Sequence, residues 1–345
     1  MKLLKRKNLI VGGVSLLLAL VLLLIAAWLP RPLQSQYQAE RWAGESGKRF
    51  QQFLCALTPG QALEPSAVYS FREAALKKLT ESDETLTPDG SEICDAWSLS
   101  GALKVSGPRG RFDAAAYAVG GRFFDFHPQT LLSGVYLTET DLLKDRVVLD
   151  EQLAWMLFGA ADVAGMSVTI GDREFRVAGV VAQPDDRFSR AADGKSPTIY
   201  LCYECRELVG SGGVAAYEIV LPDPVKGFAK GVVEETFAKQ GDVVQCTDRF
   251  SFAASLKRLV SLARQGVRDS AVILPYWENA AVIAENACAL VRAAALLFLA
   301  FPAVLLIAGA AQLFRLGKRA LRRGGGSLRE ALLDRRDRRR ANKRR

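Results

Sequence analysis

The fold of this chain is decided by two consecutive stretches, Asp145-Arg-Val-Val-Leu-Asp-Glu-Gln-Leu-Ala-Trp-Met-Leu-Phe-Gly159 and Ala164-Gly-Met-Ser-Val-Thr-Ile-Gly-Asp-Arg-Glu-Phe-Arg-Val-Ala-Gly-Val-Val181. In the first stretch, the apolar triplet Val147-Val148-Leu149 predicts a short strand. Asp150 is a residue type that commonly caps the N-terminus of a helix, and glycine, here Gly159, commonly ends one. We therefore expect a helix over Glu151 to Phe158. The stretch therefore predicts a strand that leads directly into a short capped helix.

The second stretch has the alternation of a β-hairpin. Apolar residues alternate on both sides of the turn signal Gly171-Asp172: Met166, Val168 and Ile170 before it, and Phe175, Val177 and Val180 after it. This period of two residues is typical of paired strands with one buried face.

Segments before this region predict a β-α-β-β order. A strand is expected over Phe50 to Leu57, ended by Pro59-Gly60, and two more near Ile93 to Val105 and Arg111 to Val119. Between the first two strands we predict a helix that starts at Pro65. Its apolar face is formed by Val68, Phe71, Ala75 and Leu79.

A similar unit returns towards the C-terminus. Ala216 to Leu221 and Asp242 to Cys246 predict strands, and Asp223-Pro224 predicts the cap of a helix between them. We expect one face of that helix to carry Val225, Phe228 and Val232. The whole pattern predicts an α+β domain, in which a split βαβ sheet layer receives a smaller α+β insert at about residues 122–212.

Two long apolar runs flank this domain. Leu9 to Leu29 and Ala293 to Leu313 contain no charged residue and are long enough to cross a bilayer as helices. Both chain ends are rich in Lys and Arg, which places them in the cytoplasm by the positive-inside rule. A cleaved signal peptide is the alternative for the first run, but no small-x-small cleavage site follows it.

This topology divides the 345 residues, whose formal net charge is +9, into five segments. They are a cytoplasmic N-terminus (1–8), a first span (9–29), an extracytoplasmic domain (30–288), a second span (289–314) and a basic cytoplasmic tail (315–345). The predicted location is the cell membrane, with two passes. The basic tail is interpreted as an orientation signal beside lipid, and no nucleic acid is expected as a partner.

Candidate chemistry is sparse. Cys202 and Cys205 have the C-x-x-C spacing of a redox or metal pair, but no second such pair and no nearby histidine completes a metal site. The only histidine, His127, precedes a proline and is interpreted as a turn residue. Asp193-Gly194-Lys195-Ser196 lacks the first glycine of a phosphate-binding loop. We therefore predict no catalytic residue, no metal site and no cofactor.

The six cysteines lie at positions 55, 94, 202, 205, 246 and 288. An extracytoplasmic location permits disulfides, and a bridge between Cys55 and Cys94 is one candidate. The spacing of the cysteines leaves their connectivity open.

The stretches quoted first resemble the periplasmic core domain of MacB/FtsX-type ABC permeases. In that family a strand, a short helix ending in Phe-Gly and a hairpin ending in Gly-Val-Val follow one another, as here up to Val181. Gly120-Gly-Arg-Phe-Phe124 upstream and Pro197-Thr-Ile-Tyr200 downstream are similar to the flanking segments, so the specific match covers about residues 120–201. These residues are markers of the fold.

The resemblance implies a membrane subunit that works with an ABC ATPase. Permeases of this family have four spans, whereas no apolar run of sufficient length follows Leu313 here. The implied partners are therefore an ATPase and a second membrane permease subunit, and a homo-oligomer is compatible with the sequence.

The first hypothesis is a non-enzymatic subunit of an ABC-type export or mechanotransmission complex, with a long helix from Pro275-Tyr-Trp-Glu-Asn279 to Leu313 joining domain and membrane. The alternative is a membrane-anchored extracytoplasmic binding or sensing module without an ATPase. A hydrolase or redox enzyme is the third class, for which the two C-x-x-C cysteines are the main candidates. The positions singled out for tests are Gly159 and Gly179 for turn and packing, and Trp277 with Glu278 for the junction.

Overall fold

The computed structural model describes residues 6–58, 63–82, 90–141, 143–192, 196–264 and 274–342, with backbone only for 262–264 and 319–342. Residues Ala27–Ala289 form one compact unit, and the helical segments before and after them form another. The predicted turn at Pro59-Gly60 and residues Asp193 to Lys195 lie outside the described part of the chain, as do residues 1–5 and 343–345 of the predicted tails.

Helices occupy both ends of the chain, and several of the others pack against the sheet. They are α1 (Arg6–Trp28), α2 (Gln38–Ala43), α3 (Pro65–Ser82), α4 (Phe123–Phe126), α5 (Glu151–Phe158), α6 (Arg187–Ala191), α7 (Arg206–Val209), α8 (Phe228–Phe237), α9 (Phe252–Arg264) and α10 (Tyr276–Asn342). Helix α10 continues without a break through the second apolar run. The first apolar run forms most of α1.

The strands form one mixed sheet. They are β1 (Phe50–Leu57), β2 (Cys94–Gly107), β3 (Gly110–Gly121), β4 (Leu131–Gly134), β5 (Arg146–Asp150), β6 (Ser167–Ile170), β7 (Arg173–Val181), β8 (Thr198–Cys202), β9 (Ala216–Pro222) and β10 (Gly241–Gln245). Their order is β10-β1-β9-β2-β3-β8-β5-β7-β4, while β6 pairs with β2 and β7. The early and late halves of the chain share this sheet, because β9 lies between β1 and β2.

The sheet buries both of its faces. Phe53 and Tyr217 belong to the larger core, where α3, α5 and α8 pack, and the predicted helix face Val68, Phe71, Ala75 and Leu79 is buried there. Phe50 and Val220 point to the opposite face, where α4 and the first turn of α10 pack. This alternation follows from the two-residue period of a strand.

Most predicted elements of the insert are confirmed. The side chain of Asp150 accepts a hydrogen bond from the Leu153 amide, and Gly159 ends α5 with a φ of 81° in the left-handed region. The strands of the insert continue the same sheet, since β3 pairs with β8 in parallel. The sheet shows no break at residues 122 and 212, so the boundaries of the insert stay a prediction.

Two details of the pattern analysis are wrong. Val225 lies outside the predicted helix face and is 67% exposed, because α8 begins only at Phe228. Asp223 still caps this helix, since its carboxylate accepts a hydrogen bond from the Ala229 amide at 3.1 Å. Met166 precedes β6 and is exposed, so the buried alternation of that strand begins at Val168.

Candidate functional site

The first turns of helix α10 are buried in the compact unit Ala27–Ala289, which we call the outer domain. Trp277 is 3% exposed and Glu278 is 1% exposed, so both residues singled out for the junction lie inside the unit Ala27–Ala289. A buried carboxylate requires a compensating partner, because the loss of hydration disfavours its charge. The partner of Glu278 identifies the site.

Arg249 holds two turns of α10 through one guanidinium group. Its Nη1 and Nη2 donate to the two carboxylate oxygens of Glu278, both at 2.7 Å, in a bidentate pair. Its Nε donates to Glu285 Oε1 at 2.7 Å, and Nη1 also donates to Gln36 Oε1 at 2.7 Å. Glu278 and Glu285 are seven residues apart, which places them on the same helix face two turns apart.

A tight turn presents Arg249 to the helix. Asp248, directly before it, has a φ of 62°, the one positive φ of a non-glycine residue in the described part of the chain. The Ser251 amide closes the turn by donating to the Asp248 carbonyl at 2.9 Å. Asp tolerates this backbone region better than most residues, so the local sequence permits the turn.

The charges of this cluster compensate one another. Burial opposes the charge on Arg249, but the Glu278 carboxylate beside it outweighs that effect and raises the pKa of the guanidinium above its ordinary value. On the neighbouring helix, Arg258 Nε donates to Asn286 Oδ1 at 2.8 Å and lies 4.0 Å from Glu285 Oε2. Two arginines therefore face two glutamates on α10.

A second contact set surrounds Trp277. Its ring lies 4.2 Å from the ring of His127 and 5.8 Å from that of Phe123, measured between centroids. His127 Nε2 is hydrogen-bonded to Glu218 Oε2 at 2.6 Å, and both side chains are buried. The interpretation of His127 as a turn residue is therefore incomplete: it ends α4, but its side chain packs under α10. Its partner is 91 residues away, so no local pattern indicates the pair.

Small residues complete the junction. Ala280, Ala281 and Ala284 of α10 are fully buried in a cluster with Leu33 and Phe188. Leu29, Phe250 and Ala287 pack against this cluster. Alanine on the buried helix face permits close approach of the neighbouring segments, so the first turns of α10 are part of the outer domain's core.

The two glycines singled out are required for different reasons. A Cβ on Gly179 would stand 2.4 Å from the Val135 carbonyl oxygen, which excludes any side chain there without a backbone shift. Gly159 has no comparable backbone contact, and its requirement comes from its positive φ. Both therefore have structural roles in the insert.

All six cysteines are buried, and none of them forms a disulfide. Burial raises the pKa of Cys202 to about 11, so its thiol is a poor nucleophile at neutral pH. The bridge considered between Cys55 and Cys94 is not formed, because the two belong to core clusters on opposite faces of the sheet. Among the described residues, no group of three or more metal-binding side chains is present.

Polar side chains line two of the cavities in the outer domain. The larger of these two, about 230 Å³, is lined by Tyr200, Tyr276 and Asp150, among others. The smaller, about 110 Å³, is lined by Trp97 and Tyr203, whose buried Nε1 and hydroxyl groups have no hydrogen-bond partner among the described residues. Both are the size of a few water molecules or a very small ligand.

Comparisons with known proteins agree with the resemblance. Residues 53–204 match the sequence model of the MacB-like periplasmic core domain. The chain is similar to the periplasmic region of MacB from Actinobacillus actinomycetemcomitans, with 16% identity and a TM-score of 0.41 over 63% of this chain and 94% of that one. It is also similar to the extracellular domain of the noncanonic ABC-type transporter YknZ from Gram-positive bacteria, with 11% identity and a TM-score of 0.39 over 57% and 99%.

No curated protein matches the chain. In the described part of the chain, two helices, Arg6–Trp28 and Tyr276–Lys318, are long and apolar enough to cross a membrane. The domain match and these helices indicate a component of a membrane transporter with a periplasmic domain.

Proposed function

We propose that this chain is a non-enzymatic membrane subunit of an ABC-type export or mechanotransmission complex, in which α10 couples the periplasmic domain to the membrane. The observation that carries the proposal is the bidentate pair between Arg249 and Glu278 at 2.7 Å. It fastens the first turn of α10 to the outer domain, and the same helix contains the second candidate span. A displacement of such a helix is transmitted as a rigid-body movement of whatever is fastened to it.

The proposed partners are an ABC ATPase and a second membrane permease subunit. The proposed topology has two passes and both termini in the cytoplasm, supported by the basic residues at both chain ends. Assembly as more than one copy is compatible with this arrangement.

The first test is purification of the full-length chain from its native membrane in mild detergent, followed by mass spectrometry. Recovery of an ATPase with a phosphate-binding loop and of a multi-span permease is the expected result. The coupling role is then tested by the ATPase rate of the recovered complex with Arg249→Met, and with Lys230→Met as a control at an exposed ion pair. Equal rates for both variants would argue against coupling through this site, even if the partners are recovered.

A membrane-anchored binding module is the second candidate. It is favoured by the 110 Å³ cavity, where the unpaired polar atoms of Trp97 and Tyr203 are available to a small ligand with hydrogen-bond acceptors. Recovery of soluble periplasmic proteins alone, with no ATPase, would favour this candidate.

A further inference from the structure

Helix α9 exposes the apolar residues that an amphipathic helix normally buries. Phe252, Leu256 and Val260 recur every four residues and therefore form one stripe. They are 49%, 48% and 45% exposed, respectively. Lys257, also exposed, lies next to this stripe.

The side of α9 that faces the protein carries polar residues as well as the half-buried Leu259. Ser255 is 5% exposed, and Arg258 points to α10, where its Nε donates to Asn286 Oδ1 at 2.8 Å. A surface helix of a soluble protein has the reverse arrangement, with its apolar stripe on the core. The orientation of α9 is fixed by polar contacts with α10, and its apolar stripe is left for a partner outside the domain.

The position of α9 identifies that partner. Phe250, two residues before the helix, packs against the same cluster as Leu29, the last residue of the predicted first span. Arg258 lies beside Glu285, which precedes Ala289, the start of the predicted second span, by four residues. At a rise of 1.5 Å per residue this is about 6 Å along α10. Residues at the start of α9 and within it therefore lie close to the two points where the chain is predicted to enter the bilayer.

We propose that α9 is an interfacial helix that inserts the stripe Phe252, Leu256 and Val260 into the outer leaflet, with Lys257 at the lipid phosphates. A helix with an apolar face and cationic residues, lying parallel to the membrane, binds at the boundary of headgroups and acyl chains. A lipid surface matches this face better than a second protein copy, because α9 lies beside segments that lead into the two predicted spans and has Lys257 next to its stripe. The proposal rests on the two-pass topology of the proposed function.

The test uses the full-length chain in vesicles of phosphatidylcholine and phosphatidylglycerol. Leu256→Cys is labelled with an environment-sensitive fluorophore, and lipids that carry a doxyl quencher near the headgroup or deep in the acyl chain are added. Met166→Cys is the matched control, since Met166 is also 48% exposed and lies next to β6, away from the β10 end of the strand order. The unsubstituted chain gives the background, because its six cysteines are buried.

We expect quenching at position 256 to exceed that at position 166 at least about twofold, with the shallow quencher more effective than the deep one. Val260→Cys repeats the measurement, so that one perturbed variant does not decide the result. Equal quenching at positions 256 and 166 would overturn the proposal. A blue-shifted but unquenched label at both 256 and 260 would also overturn it, because protein and not lipid then covers the stripe.

Flotation of the vesicles separates this proposal from the proposed function. A chain that floats, together with an unquenched label, leaves the two-pass topology intact and refutes only the interfacial helix. A chain that does not float contradicts the membrane topology and both proposals with it.

Discussion

Replacement of Arg249 by methionine should destabilise the outer domain more than any other single change to an ion pair. The substitution removes four hydrogen bonds of 2.7 Å, two of them to Glu278. Glu278, which is 1% exposed, is then buried without a cation. Breaking a buried ion pair from one side costs about 3–5 kcal/mol. For a domain of this size each kcal/mol lowers the Tm by about 2–4 °C, so the expected loss is about 6–20 °C.

The assay is thermal unfolding of the full-length chain in mild detergent, followed by circular dichroism. Lys230→Met is the control, because its i,i+4 pair with Glu234 has side chains that are 50% and 45% exposed. Exposed helix pairs contribute about 0.3–0.5 kcal/mol, so the Tm of this control should change by no more than about 2 °C. If the Tm of Arg249→Met equals that of the control Lys230→Met, the reasoning is refuted.

The double variant Arg249→Met with Glu278→Met separates a lost attraction from a stranded charge. Apolar residues in place of both partners are often neutral or stabilising, whereas loss of one partner leaves an uncompensated buried carboxylate. We therefore expect the double variant to regain most of the Tm lost by Arg249→Met. The deficit of the single variant should also shrink as the pH falls, because protonation of Glu278 removes the buried charge.

Three further changes test the insert. Gly159→Val should lower stability by at least about 1–2 kcal/mol, because a branched residue is strained at a φ of 81°, while Gly231→Ala in α8, where a Cβ meets nothing within 4 Å, should cost nothing. Gly179→Ala should lower the Tm further or prevent folding, since its Cβ would stand 2.4 Å from the Val135 carbonyl oxygen. Burial raises the pKa of Asp150 to about 6, so the folded state binds this proton more tightly than the unfolded state and loses stability as the pH rises from about 4 to 6. Asp150→Asn removes this pH dependence, so the Tm of the variant minus that of the unsubstituted chain should increase as the pH rises from about 4 to 6. A Tm difference that stays constant over this range would contradict the assignment.

Local chemistry made much of the fold predictable. The helix face of Val68, Phe71, Ala75 and Leu79 is buried as predicted, because a 3.6-residue period directly determines which side chains share a face. Asp150 and Gly159 cap α5 for reasons that lie within two turns of sequence. Val225 was misassigned because Gly227 delays the start of the helix and a short loop intervenes.

The junction was predictable only in part. Trp277 and Glu278 stand out as a large aromatic and a charge at the start of the predicted long helix, and both are buried. Arg249 gave no signal, because its partners are 29 or more residues away and nothing in its neighbourhood distinguishes it from other surface arginines. His127 was missed for the same reason, since its contact with Glu218 joins elements that are distant in sequence. Buried polar pairs between elements that are distant in sequence are set by tertiary topology, and no periodicity encodes them.

The buried pair is better understood as a device for helix register than as a source of stability. Beyond Trp277 in the first turn, the buried apolar face of α10 is formed largely by Ala280, Ala281 and Ala284, whose small and similar side chains tolerate rotation or sliding better than large ones do. Arg249 reaches Glu278 and Glu285 together only when both point to one side, and a shift by one residue turns the helix by about 100° and separates them. Charged pairs of this kind specify one arrangement among several of similar packing energy. The double variant Arg249→Met with Glu278→Met should therefore remain folded but lose the coupling of α10 to the domain: its Tm should approach that of the unsubstituted chain, while the ATPase rate of its complex should resemble that of Arg249→Met. Recovery of both quantities would mean that apolar packing alone sets the register.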